Sequence, residues 1–292
     1  MHFVRIGQGP PCKNICAFNV CAFLPDDQTV FVESNPENTY NEICGRGRHQ
    51  NGETGERIFE MLSQILPCLA VLAAFIAPAL MVLLPVRFLT RLPSFVFRKL
   101  LHFVAFTSVS LMILAAKSWQ AAALTSVLIA VALYPILAGL ENASWFGKLF
   151  VQKSPGEIKR SLLLLFLMFA ALISVAWGVF GQPHLAATAI LMWGTGDAAA
   201  ALVGIPYGKH KVRSRFTDGK KSWEGSFAML AVSFLSGMIL LLSVQKTALP
   251  QAFLMASLGA VLGTATELFS PSEYDTVTVP AVIAAVLLII AC

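Results

Sequence analysis

Charge is scarce in this sequence. Of 292 residues, 13% are Asp, Glu, Lys or Arg, against about 25% in an ordinary soluble domain. That scarcity excludes a soluble globular protein, because 57% of the residues are hydrophobic and too little polar surface remains to cover such a core. A bilayer supplies the missing cover. Acidic residues are scarcest of all: residues 61–292 hold eight acids against sixteen Lys and Arg, a net +8, whereas residues 1–60 hold eight against five, a net −3. The basic residues sit in short loops with no aromatic interleaving, so the excess is not a nucleic-acid footprint. A zinc pattern is missing as well: Cys12, Cys16, Cys21 and Cys44 are spaced C-x3-C-x4-C and beyond, which fits no common zinc site and leaves unpaired thiols as the plainer reading. A phosphate-binding loop of the G-x-x-x-x-G-K-[ST] type is also absent.

What is present is a series of apolar runs. Eight can be read, at roughly 65–86, 100–116, 119–140, 161–181, 185–205, 226–244, 250–267 and 278–292, most of them near the ~20 residues that a membrane helix needs. The expected fold is all-α, a polytopic membrane bundle of about 7–8 transmembrane helices. Pro67, Pro78, Pro85 and Pro135 are positions for kinks. Residues 1–60 lack helical or strand periodicity, are rich in Asn, Gly and Pro, and carry no evident signal peptide. They read as a disordered extension, or as a segment ahead of the true translation start at Met61. The domain expectation is therefore 1–60 as extension and 61–292 as the membrane domain.

The loops alternate sharply. Segments 87–99, 141–160 and 206–225 carry the Lys and Arg, whereas 117–118, 182–184 and 245–249 are tiny and hold only Lys117 and Lys246. The positive-inside rule puts 87–99, 141–160, 206–225 and 268–277 in the cytoplasm. All eight acids of the membrane region (Glu141, Glu157, Asp197, Asp218, Glu224, Glu267, Glu273 and Asp275) fall on or near that side. Asp218 and Glu273 read as solvated loop residues.

Asp197 stands apart, within AILMWGTGDAAAALVGIPYG. A carboxylate inside an apolar run needs a counter-charge, a metal or a water-filled cavity, and marks a functional site. Gly194, Gly196, Gly204 and Gly208 around it permit close helix packing or close approach of backbone to a ligand. Next, residues 208–226 collect Lys209, His210, Lys211, Arg213, Arg215, Lys220 and Lys221, an electropositive stretch suited to polyphosphate or anionic headgroups. A plain positive-inside loop explains Lys211, Arg213 and Arg215. It does not explain Lys220-Lys221-Ser222-Trp223-Glu224-Gly225-Ser226, where small and hydroxyl residues at a helix start can offer N–H groups to phosphate beside a lysine. Finally, Glu267 ends one helix and Asp275 precedes the next. Two carboxylates at such a mouth suit magnesium, which takes one or two of them together with phosphate oxygens; a capped, solvated loop is the alternative. Arg98, Lys99 and His102 share a helical face at i, i+3, i+4 spacing, and an interfacial anchor is the plainest reading.

These stretches together resemble the CTP-dependent lipid-alcohol kinases: the phytol kinase and dolichol kinase group, with CTP-dependent diacylglycerol kinases, related to the phosphatidate cytidylyltransferases. The likeness lies in RKLLH at 98–102, GDAAAALVG at 196–204, PYG at 206–208, KSWEGS at 221–226 and ELFSP…YDTVTVP at 267–280, in that order over roughly 98–280. Two departures stand out: Thr276 follows Asp275 where the family often has Asn, and the family's Arg partners near Glu141 are missing, with Lys153 as a candidate substitute.

The resemblance implies transfer of the γ-phosphate of CTP to the hydroxyl of a lipid alcohol in the bilayer, at the cytoplasmic face. It implies Asp197, with Glu267 or Asp275, as Mg2+ ligands, and Lys221, assisted by Lys220 and Lys209, on the phosphates. Ser222, Gly225 and Ser226 would add hydroxyl and backbone donors, next to the Gly196, Gly204 and Gly208 backbone. Glu224 would hold metal or orient Lys221; the sequence does not identify the general base, for which Asp197 and Glu224 are both candidates. The rivals are a CDP-lipid synthase, which would release pyrophosphate, and a transporter. A transporter would spread acids through the membrane depth and show an inverted repeat, and the sequence has neither.

Overall fold

In a computed structural model the described residues are 36–90, 92–141, 156–212, 219, 221–271 and 274–292, with side chains described from 59 onward. Cys12, Cys16, Cys21, Lys153, Arg213, Arg215, Asp218, Lys220 and Glu273 lie outside them. The chain divides into two compact units, Met1–Glu56 with Cys292, and Arg57–Ala291.

Without water to satisfy its peptide groups, a chain in a bilayer must close its own hydrogen bonds, and helices do so within each segment. The apolar runs accordingly become helices: α1 (Pro36–Leu89), α2 (Ser94–Ala115), α3 (Trp119–Leu140), α4 (Glu157–Leu172), α5 (Pro183–Tyr207), α6 (Trp223–Ser243), α7 (Leu249–Phe269) and α8 (Asp275–Ala291). A π-helical turn, Ile173–Val179, extends α4. Seven of these stretches are long and apolar enough to cross a membrane, and α8 is a shorter apolar helix. No strand occurs among the described residues beyond one isolated antiparallel bridge, Lys211 to Ser222. This is a polytopic helical membrane bundle.

Helix ends follow local chemistry. Ser118 and Ser222 cap α3 and α6, each side chain accepting a hydrogen bond from a backbone N–H in the first turn. Proline stands in the first turn of α5 and of α7, where no N–H is needed. Gly156, with φ of 76°, leads into α4. The helices run on through the prolines at 67, 78, 85 and 135. Residues 36–60, expected to lack regular structure, form the first part of α1. Extending a helix that already has a nucleus adds one hydrogen bond for each residue fixed, so a weakly helical segment can follow a strong one.

The second unit is organised around α5, which packs on α2, α6 and α8; α7 joins α6 to α8, and α3 pairs with α4. Small residues set these distances. A Cβ on Gly194 would sit 2.0 Å from the Phe106 ring, and one on Gly196 would sit 2.1 Å from Ser233 Oγ. Helices approach this closely in membranes because small residues let backbones and neighbouring side chains meet. Phe106, Phe169 and Trp193 then stack edge to face, with ring centroids 4.5 to 6.0 Å apart.

Candidate functional site

The antiparallel order of the helices brings the starts of α2, α4, α6 and α8 to the same end of the unit as the ends of α3, α5 and α7. A cavity of about 440 Å3 opens there. One part of its wall is ionic: Arg98 and Lys99 from α2, Glu157 from α4, Asp197 from α5, Glu267 from α7 and Asp275 from α8. The rest is largely apolar, with Leu133 and Leu137 of α3 facing Leu162 and Leu165 of α4, and Phe106, Trp193 and Met229 beyond them. His102 and Thr276 complete the boundary between the two.

Asp197 finds its counter-charge in Lys99, whose Nζ donates to both carboxylate oxygens at 2.8 and 2.7 Å. Ninety-eight residues separate the two in sequence. Asp197 lies ten residues before the end of α5, about 15 Å along the helix axis. An unpaired carboxylate at that depth would be costly, and the bidentate ammonium offsets the cost.

A second cation serves the other two carboxylates. Lys221 Nζ lies 3.2 Å from Glu267 Oε1 and 3.8 Å from Asp275 Oδ2. It also donates to the carbonyl of Ser270 at 3.0 Å and to the carbonyl of Glu267. Lys221 is thereby tied to the α7–α8 turn. Arg98 Nη1 lies 3.6 Å from Glu157 Oε1. Thr276, in place of the expected Asn, donates to Asp275 Oδ1 at 3.4 Å. Glu141 pairs with Lys159, at 2.7 Å; Lys153, the candidate substitute, lies outside the described residues.

Of the eight acids, then, Glu157, Asp197, Glu267 and Asp275 line the cavity. Glu224 does not. One of its carboxylate oxygens accepts from the backbone N–H of Lys209 at 3.2 Å, from the N–H of His210 at 3.1 Å and from His210 Nδ1 at 2.7 Å. The expected phosphate-binding glycines are also occupied with packing. A Cβ on Gly208 would lie 2.3 Å from the carbonyl of Gly204, and one on Gly225 would lie 2.8 Å from the carbonyl of Ala200. A Cβ on Gly204 would meet Ser222 Oγ at 3.1 Å. Ser222 Oγ accepts from Gly225 N, while Ser226 Oγ is buried without a hydrogen-bond partner.

Among the described residues no three His, Cys, Asp or Glu side chains stand close enough to form a metal cluster on their own. Asp197, Glu267 and Asp275 nevertheless supply hard oxygen donors to one cavity. That set fits magnesium in its usual protein environment, in which one or two carboxylates bind and substrate phosphates complete the shell. Sequence reasoning missed Lys99, Arg98 and Glu157 as members of the site. The signal for Lys99 was the need of Asp197 for a cation, together with the shared face of Arg98, Lys99 and His102.

No family model matches the chain, and no solved structure matches it. Over 117 residues it is 35% identical to a phytol kinase of Synechocystis sp.. The matched stretch covers 39% of this chain and 49% of that relative, so the chain spans about half the length of the curated kinase that it resembles.

Proposed function

We propose that this chain is a membrane-embedded kinase that transfers the γ-phosphate of CTP to the hydroxyl of a lipid alcohol, an isoprenoid alcohol such as phytol in the first instance. The observation that carries the proposal is the two-part cavity, in which an ionic wall of lysine, arginine and carboxylate meets leucine and aromatic walls within the membrane domain. The partial similarity to a phytol kinase supports the same reading.

In this reading the lipid tail lies against Leu133, Leu137, Leu162 and Leu165, and the hydroxyl meets the nucleotide near Lys99 and Asp197. Phosphoryl transfer asks the protein chiefly for positioning and for neutralisation of charge. Lys99, Arg98 and Lys221 would donate to the phosphate oxygens, with Lys209 and Lys220 as further cations. As a triphosphate draws Lys99 toward it, Asp197 becomes free to accept the hydrogen bond of the attacking hydroxyl and to orient it. The hydroxyl oxygen gains the phosphoryl group, CDP leaves, and the hydroxyl proton is lost to an acceptor such as Asp197. Magnesium, entering with the nucleotide, would be held by Asp197 with Glu267 or Asp275, where it would neutralise charge on the phosphates. The basic loops support a cytoplasmic position for this end of the bundle, by the positive-inside rule.

The test is transfer from CTP labelled at the γ-phosphate in proteoliposomes containing phytol, geranylgeraniol, a long polyprenol or diacylglycerol. Label in one of these lipids supports the kinase and names its acceptor. Pyrophosphate released when phosphatidate is present would replace it with a CDP-lipid synthase. A chain that consumes no CTP under any of these conditions is not this enzyme.

A further inference from the structure

The family resemblance leaves two roles open for Glu224: in the chemistry, as base or metal ligand, or in orienting Lys221. The geometry points to the second and shows how it is done. We infer that Glu224 is a positioning residue, a clamp that holds the extended 208–212 segment, a strap, across the start of α6 and so fixes Lys221 beside the site. The inference rests on the proposed kinase reading only for what the clamp serves.

Glu224 stands in the first turn of α6 and is absent from the cavity wall. Its Oε1 gathers the N–H groups of Lys209 and His210 and the ring of His210, and Oε2 accepts from the N–H of His210 at 3.3 Å. Two backbone bonds continue the same junction: Val212 N–H to the carbonyl of Lys221 at 3.0 Å, and Trp223 N–H to the carbonyl of His210 at 3.1 Å. The strap therefore grips the chain at the carbonyl of Lys221 and at the N–H of Trp223, on either side of Ser222. Gly204 and Gly208 sit under the junction: a Cβ on Gly208 would collide with the carbonyl of Gly204 and with Ser222, and one on Gly204 would press on Ser222 Oγ and the Cα of Gly225. With its backbone held, Lys221 extends away from the strap toward Ser270, Glu267 and Asp275. A carboxylate engaged by three donors and absent from the cavity wall has the geometry of a fastener.

Two variants separate fastening from chemistry. Glu224→Gln keeps an oxygen that accepts from backbone N–H groups but loses the carboxylate needed by a base or a metal ligand; Glu224→Ala loses both. With protein in proteoliposomes, we expect Glu224→Gln to keep kcat within a few-fold of the unaltered chain, and Glu224→Ala to lower kcat/KM for CTP about a hundredfold, the scale of a misplaced group near a reacting centre, with most of the loss in KM. The second measurement does not depend on activity: mapping of trypsin cuts in the folded protein. Cleavage after Lys209 and Lys211 should become at least tenfold faster in Glu224→Ala and stay near the original rate in Glu224→Gln. Glu224→Gln as inactive as Glu224→Ala, with the cleavage rates unchanged in both, would overturn the inference and return Glu224 to the chemistry. Unchanged cleavage in Glu224→Ala alone would also overturn it. If the unaltered chain phosphorylates no lipid, the kinase reading falls, while the cleavage comparison still decides whether Glu224 is a clamp.

Discussion

The two ends of this bundle are built from the same helices and share almost nothing else. At one end two of the connections, 141–156 and 208–222, are long and charged, and six ionic side chains from α2, α4, α5, α7 and α8 line one cavity. At the other, α2 meets α3 and α6 meets α7 through a few residues whose charges are Lys117 and Lys246, with no acid among those residues. The helix α5 runs between them and changes character on the way. Its first half is almost wholly buried alanine, leucine, threonine and isoleucine, and its second half carries Asp197 into the cavity. The contrast teaches that the plain end and the middle of the bundle fix the distances, and the charged end uses them.

Substitutions at the charged end should therefore act on turnover, and those in the middle and at the plain end on stability. The largest effect is expected for Asp197→Ala: lipid phosphorylation should fall about a thousandfold or more, while the protein still inserts in the membrane, as checked by its yield in a membrane fraction. Full activity in that variant would remove Asp197 from the mechanism and erase the contrast. Lys99→Met should lower kcat/KM about a hundredfold, and the double variant with Asp197→Ala should lose little beyond the Asp197 change alone, a non-additivity that a mutant cycle in the transfer assay reads directly. In the middle of the bundle, Gly194→Val should destabilise the fold by about 1–3 kcal/mol, because its Cβ meets the Phe106 ring. A lowered unfolding midpoint in detergent would show it, and an unchanged midpoint would mean that α2 and α5 slide apart easily. The smallest change belongs to the plain end. Lys246 has φ of 56°, so Lys246→Gly should raise stability by up to about 1 kcal/mol, measured the same way, and leave turnover unaltered.

Much of this architecture is legible in the sequence, for a physical reason. A bilayer demands long apolar helices whatever their neighbours, so composition alone finds each span; α3 begins and ends at the residues expected, α1 starts well before the expected residue 65, and the other spans shift by a few residues. The location of the acids is also legible, because charge in a membrane is too costly to be placed casually. What could not be read is which charge meets which. Lys99 and Asp197 stand on different helices, and it is the packing of α2 on α5, with Phe106 against Gly194 and Trp193, that brings the two into register. The KSWEGS stretch shows the same limit. Its serine, glycine and glutamate suit a phosphate site by type, yet Ser222 caps α6, Gly225 makes room for α5 and Glu224 faces the 208–212 strap. Residue type states what a group can do; only its hydrogen-bond partners state what it is engaged in.

The depth of Asp197 also bears on where the work of bringing two unlike reactants together is done. Moving a lipid tail out of hydrocarbon costs about 0.8 kcal/mol for each methylene, so lifting a long-chain alcohol to a nucleotide at the surface would defeat any catalyst before chemistry began. A carboxylate and an ammonium sunk well below the helix ends, beside leucine walls, reverse the direction of travel. In the proposed reaction the phosphate descends to the alcohol, and the tail never leaves its solvent.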